Sequence, residues 1–265
     1  MCRFAAYFGL KEILLDELLV NPKNSLIKQS HEAREGAHGI NADGFGVAWY
    51  NFDISSYPGI FKSIQPAWND NNLAHLSQKI KSSCFMAHVR ASTVGDVNQN
   101  NCHPFAFNEY SMVHNGTIRN FDKYKKEMIN KIDEELFLQI KGNTDSECLF
   151  FLIMTYVRAG MSLEDSVKKA IAWVTEIQKN CDGFSRINIV ITDGKDLIAT
   201  RYVSKGESSL SLNYCSKINE SDKKISSIIL SSEALNDNDE LWFEVPENHY
   251  IYLNRDDMTF KVEEI

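Results

Sequence analysis

The chain has 265 residues, 43% hydrophobic and 24% charged, the balance of a globular protein long enough to bury a core without disulfides or metals. Its formal net charge of -8 argues against a general nucleic-acid or anionic-membrane binder, since each needs a basic footprint. No stretch is apolar for the length of a bilayer span, the N-terminus shows no cleavage site, and the six cysteines form no CxxC pair, so reduced thiols in the cytoplasm are expected.

Strand-like runs, short and rich in apolar, aromatic or β-branched residues, fall at residues 2–8, 45–50, 84–90 and 110–114. Asp43-Gly44-Phe45-Gly46 precedes the second of them. It lacks the Lys-Ser/Thr and the following helix of a phosphate loop, so its glycines read as places of close backbone approach. Thr144 and Glu147 have the spacing of a capping box and open a helix through residue 157, and Ser162-Leu163-Glu164-Asp165 opens another to about residue 179. The pattern then returns to strands. Residues 186–192 and 197–203 flank Asp193-Gly194, a strong hairpin signal, and further strands are expected at 225–230, 250–253 and 259–263. Strands at both ends, helices in the middle and no linker predict one α+β domain over 1–265, with helices packed on largely antiparallel sheets.

Five positions carry potential chemistry. Cys2 follows the initiator methionine, and a small second residue permits removal of Met1. The exposed cysteine then bears a thiol and an α-amine together. That amine, with a reference pKa of about 7.7–8.0, can take a proton near neutrality and serve as base for its own nucleophile. The ordinary alternative is a small buried hydrophobe in the first strand. Arg90, at the end of a strand in His88-Val89-Arg90-Ala91-Ser92-Thr93, offers a planar fork for a carboxylate, or simply a surface ion pair. Asn115-Gly116 combines a side-chain amide with a glycine N–H, which suits a two-donor oxyanion hole, yet it is also the commonest tight-turn dipeptide. Asp145, in the first turn of a helix, suits the helix dipole or a substrate ammonium. His31, His38, His88, His103 and His114 lie among these segments, but no HxH, HExxH or CxxC spacing points to a metal.

Taken in order, Met1-Cys2-Arg3, Asp43-Gly44-Phe45-Gly46, His88-Val89-Arg90-Ala91-Ser92-Thr93, His103-Pro104-Phe105, His114-Asn115-Gly116-Thr117-Ile118 and Thr144-Asp145-Ser146-Glu147 resemble the class II glutamine amidotransferases. These are the cysteine branch of the N-terminal-nucleophile hydrolases. The motifs cover about the first 150 residues; beyond them stands only Ser231-Ser232-Glu233-Ala234-Leu235, similar to a late serine-glutamate element in short members.

The resemblance implies a four-layer αββα sandwich of two antiparallel sheets. It implies Cys2 as nucleophile with its freed amine as base, Asn115 and Gly116 as oxyanion donors, and Arg90, Thr93 and Asp145 as binders of a γ-glutamyl head. No metal or organic cofactor is required. Fewer than 120 residues follow the Thr144 motif, and the sandwich itself would use them, so no synthase domain is expected. The chain looks like the short, stand-alone subgroup that includes γ-glutamyl hydrolases of ergothioneine synthesis and subunits of glutathione-degrading complexes. The expected activity is hydrolysis of glutamine or another γ-glutamyl compound through a Cys2 thioester. The alternatives are a glutaminase subunit passing ammonia to a separate synthase and a non-catalytic γ-glutamyl-binding module.

Overall fold

The structure, a computed structural model, describes residues 2–35, 40–92, 94–179, 183–204, 206–219, 224–237 and 241–265. Met1, His38 and Thr93 therefore lie outside the described residues. The strands are β1 (Arg3–Leu14), β2 (Phe45–Asn51), β3 (Ser55–Ser63), β4 (Lys81–Val89), β5 (Phe105–Phe107), β6 (Tyr110–Ile118), β7 (Ser185–Thr192), β8 (Asp196–Val203), β9 (Asn213–Ile218), β10 (Ile225–Ser231), β11 (Phe243–Glu244), β12 (His249–Asn254) and β13 (Phe260–Glu264). They form one sheet in the order β11-β9-β10-β1-β4-β2-β3 and a second in the order β13-β12-β8-β7-β6-β5. Neighbours in both sheets run antiparallel.

Successive side chains on a strand point to opposite faces, and β1 shows what that does here. Phe4, Ala6 and Phe8 pack against Val113, Val190, Ala199 and Ile251 of the other sheet. Ala5 and Tyr7, between them, face a separate cluster with Leu15, Leu18, Leu19, Leu26 and Leu73. Those leucines come from or adjoin the short helices α1 (Asp16–Leu19), α2 (Leu26–His31) and α3 (Asn71–Ser77). The second sheet does the same. Ile187, Ile189 and Ile191 of β7 turn outward onto α6 (Asp145–Arg158) and α7 (Leu163–Gln178), beside α4 (Phe121–Lys131); α5 (Glu134–Phe137) completes that layer. Three apolar clusters separate four layers, which is the αββα sandwich. Strands buried on both faces read as continuous apolar runs without polar alternation, and this is how much of β2 and β4 appears in the sequence.

The cap readings hold. Thr144 Oγ1 accepts from Glu147 N–H at 3.2 Å, and Ser162 Oγ from Asp165 N–H at 3.0 Å. The reciprocal half of the Thr144 box is different: Glu147 accepts instead from the N–H groups of Lys141 and Gly142, at 2.9 and 2.8 Å, and so fastens the loop before the helix. Asp193-Gly194 does close the β7–β8 hairpin, with Gly194 at φ +85°. Asn115-Gly116, however, is no turn. Strand β6 continues to Ile118, pairing Asn115 with Asn188 and Gly116 with Ile187. A Cβ on Gly116 would lie 1.9 Å from Arg186 O, so glycine is required by close approach of the neighbouring strand.

Candidate active site

The start of β1, the end of β4, the second half of β6 and the N-terminus of α6 meet at one end of the sandwich. Cys2 is half-buried there, its Sγ 3.4 Å from both the O and the N of Ala91. Burial pushes its thiol pKa up, and the Ala91 N–H pulls it back only in part. Next along the strand, Arg3 is buried, with Nε on Glu233 Oε1 at 2.7 Å and Nη1 on Cys2 O at 2.9 Å. The side chain that follows Cys2 is thus an anchor for its backbone.

Arg90 leaves β4 and folds back over the loop that follows. Its Nη1 donates to Asp96 O at 3.0 Å; its Nη2 donates to Val94 O at 2.9 Å and Ser92 Oγ at 3.1 Å. The start of β2 braces this turn. Arg90 N–H donates to Gly44 O at 2.8 Å, and Asp43 Oδ2 accepts from Ser92 N–H at 2.7 Å. Gly44 sits at φ +110°, a conformation that favours glycine, with Cys102 Sγ 2.6 Å from where a Cβ would stand. Gly46 lies closer still to His103 O, at 2.2 Å from its virtual Cβ.

Asp145 opens α6 and is buried. Its Oδ2 accepts from Ile118 N–H at 2.7 Å and its Oδ1 from Ser146 N–H at 2.8 Å. His114 Nε2 donates to Arg186 O at 3.1 Å, and its Nδ1 lies 2.8 Å from Ser146 Oγ, whose one proton is shared between that nitrogen and Asp145 Oδ1 at 3.2 Å. His88 Nε2 donates to His114 O at 3.1 Å, and the His103 ring lies against His88, tilted by 34° with centroids 4.1 Å apart. Burial drives all three imidazoles down in pKa, His88 to about 3, so they stand neutral at pH 7. His31 is elsewhere, edge-on to Trp68. Among the described residues no group of three or more His, Cys, Asp or Glu is arranged to hold a metal ion.

Cys2, Arg90, Gly116 and Asp145 line one cleft, with His103 and His114 in its wall. Asn115 lines a neighbouring cavity of about 250 Å³ together with Arg3, Glu35, Arg186, Leu210 and Ser211. Ser232 reaches both β1 and Asn115, Glu233 reaches β1 through Arg3, and sequence reasoning had attached no role to either. Their signal was the Ser231-Ser232-Glu233 element, whose contacts with Asn115 and Arg3 lie 117 and 230 positions earlier and cannot be read locally. Asp43 and Ser146 stand in motifs already noted, but their partners are likewise visible only in three dimensions.

An αββα sandwich with a cysteine at the head of its first strand and a carboxylate, a guanidinium and a strand glycine around it defines the N-terminal-nucleophile hydrolase fold. Residues 20–263 match the family of class-II glutamine amidotransferases. The chain is 33% identical to the probable glutamine amidotransferase DUG3 of Saccharomyces cerevisiae, over 96% of its own length and 82% of the yeast protein. It is 27% identical to the gamma-glutamyl-hercynylcysteine sulfoxide hydrolase of Mycolicibacterium smegmatis over 95% of each chain. Among solved structures, a glutamine aminotransferase class-II domain protein from Silicibacter pomeroyi superposes over 100% of this chain and 99% of that one, with TM-score 0.73 and 25% identity. The chain belongs to the class II glutamine amidotransferases and is an enzyme of their amidohydrolase type. No helix among the described residues is long and apolar enough to cross a membrane.

Proposed function

We propose that this protein hydrolyses the γ-amide of a γ-glutamyl compound, with Cys2 as nucleophile once Met1 is removed and residues 1–265 acting as one catalytic unit. The observation that carries this reading is the convergence of Cys2, Arg90, Gly116 and Asp145 on one cleft, with Asn115 alongside. The raised thiol pKa of Cys2 fits it, because a thiol that burial keeps protonated needs a base at hand. The freed α-amine of the same residue is that base.

The amine takes the thiol proton as sulfur attacks the γ-carbon. The oxyanion is held by Asn115 Nδ2 and Gly116 N–H. Collapse of the tetrahedral adduct breaks the C–N bond; the departing amine takes the proton and leaves a γ-glutamyl thioester on Cys2. Water, deprotonated by the same α-amine, then attacks the thioester, releasing glutamate and restoring the thiol. Arg90 receives the substrate's α-carboxylate in exchange for one of the loop carbonyls it now holds. Asp145 receives the α-ammonium, and Thr93 completes the recognition of the head. Three buried, neutral histidines beside the cleft keep a further positive charge away from that ammonium.

The cavity of about 250 Å³ beside Asn115 favours a leaving group larger than ammonia, whose volume is close to the roughly 30 Å³ of a water. It supports hydrolysis of a substituted γ-glutamyl amide over a glutaminase that feeds a separate synthase. The two-point clamp is tested by comparing γ-glutamyl amides with their des-amino glutaryl counterparts. The glutaryl compounds should lose kcat/KM by at least two orders of magnitude, since a buried carboxylate left without its partner costs several kcal/mol. Equal kcat/KM for both would return Asp145 to the role of a helix-start carboxylate.

A further inference from the structure

The carboxamide of Asn115 has two N–H groups and one oxygen, and its terminal torsion is broad, so nothing within the residue sets where the second N–H points. Its surroundings do. Asn115 is 2% exposed and its Nδ2 donates to Ser232 Oγ at 3.3 Å. Its Oδ1 is buried and meets no hydrogen-bond partner among the described residues. Ser232 is 1% exposed, and its Oγ also accepts from Phe4 N–H at 3.0 Å. The Ser232 N–H in turn donates to Phe4 O at 3.0 Å. One hydroxyl therefore joins the strand that carries residue 2 to the side chain of Asn115. Glu233 secures the same segment. Its Oε1 accepts from Arg3 Nε at 2.7 Å and Glu35 N–H at 3.1 Å, and its Oε2 from Arg34 N–H at 3.1 Å.

We infer that Ser232 is a positioning residue: its hydroxyl ties one Asn115 N–H and the Phe4 N–H to a single point, leaving the second Asn115 N–H aimed at an acyl oxygen carried on Cys2. The inference rests on the reading of Asn115 as an oxyanion donor and goes beyond it by naming what orients that donor. A donor held in place before reaction needs no reorganisation as charge develops, whereas a loose amide must be turned at every passage over the barrier. Loss of the tether should therefore appear in kcat and leave KM in place.

The test is hydrolysis of L-γ-glutamyl-p-nitroanilide by wild type, Ser232→Ala, Ser232→Thr, Asn115→Ala and the Ser232→Ala/Asn115→Ala pair. Ser232→Ala should lower kcat about tenfold, the scale of one neutral hydrogen bond, with KM unchanged. Ser232→Thr, which keeps the hydroxyl, should restore most of the loss. In the Asn115→Ala background, Ser232→Ala should cost distinctly less than in wild type, because the amide it orients is gone and only its bond to the Phe4 N–H is left to lose. An equal fold-loss in both backgrounds, or a loss carried by KM, overturns the inference. An Asn115→Ala enzyme with wild-type kcat would remove the oxyanion reading itself, and that single variant reports it separately. Should Ser232→Ala fail to fold, Ser232→Cys, nearly isosteric with a weak acceptor, carries the same comparison.

Discussion

The space between the two sheets and the end of the sandwich above it are equally buried but built from opposite materials. Between the sheets Phe4, Phe8, Val113, Val190, Ile251 and Leu253 exclude water with apolar packing, and the Tyr50 hydroxyl is held by Ser111 Oγ at 2.9 Å. At the end lie Arg3, His88, Arg90, His103, His114, Asn115, Asp145, Ser232 and Glu233, all buried as well. Apolar burial stabilises by roughly 25 cal/mol per Å², whereas buried polar groups at best offset their own desolvation through hydrogen bonds. The difference teaches that the fold's stability resides in the layers, and that the polar end is carried by them for its chemistry. Strand β1 spans both regions: its alternating Phe4, Ala6 and Phe8 hold the sheets together, and its first residues deliver Cys2 to the polar end.

The sharpest way to break this contrast is to remove one member of a buried pair at the polar end. Glu233→Ala leaves the Arg3 guanidinium without its carboxylate and should destabilise the protein by about 3–5 kcal/mol. It should also release the backbone around Cys2, lowering kcat in whatever fraction stays folded. Denaturant titration and initial rates on the same samples check both. Glu233→Gln, which keeps acceptors for Arg3 and the loop N–H groups, should lose distinctly less. Equal stability for Glu233→Ala and wild type would show that the polar end is not held by this pair.

A smaller effect sharpens the same contrast through pH. His88, His103 and His114 have folded pKa values depressed by burial, His88 to about 3, against an ordinary value near 6.5. Between about pH 6.5 and pH 3 the unfolded chain therefore binds protons that the folded chain refuses. Stability is unaffected by these groups above pH 6.5 and falls progressively as pH drops through that window. The melting temperature should decline from pH 7 to pH 4, and His103→Phe, whose ring keeps the contact without titrating, should flatten the decline. A melting temperature independent of pH over this range would show that the rings are not buried as neutral species.

Much of the layered region was legible in the sequence, because apolar runs, capping residues and Asp193-Gly194 act through neighbours in the chain. The less buried edges were not. Strand β3 contains Pro58-Gly59 and is largely exposed, and β9 is mostly polar, so neither shows a core-facing pattern. Helix α4 begins at Asn120 in a left-handed conformation rather than at a side-chain cap. At the polar end, Cys2, Arg90, Asn115, Gly116 and Asp145 were singled out as residues, and four of them meet at one cleft with Asn115 beside it; the turn that Asn115-Gly116 also suggested is absent, because strand β6 continues through the dipeptide. The bracing by Asp43, Ser146, Ser232 and Glu233 is made of long-range hydrogen bonds, to which no local signal corresponds.

The most direct test of the central proposal is a mass measurement on untagged, active protein before and after inactivation with a diazo-ketone analogue of glutamine, 6-diazo-5-oxo-L-norleucine. The account predicts an N-terminus that begins at Cys2, one adduct per chain on the Cys2 sulfur, and loss of turnover in step with labelling. Retention of Met1 on turning-over enzyme would contradict it. So would inactivation by labelling Cys84, Cys102, Cys148, Cys181 or Cys215 while Cys2 stays free.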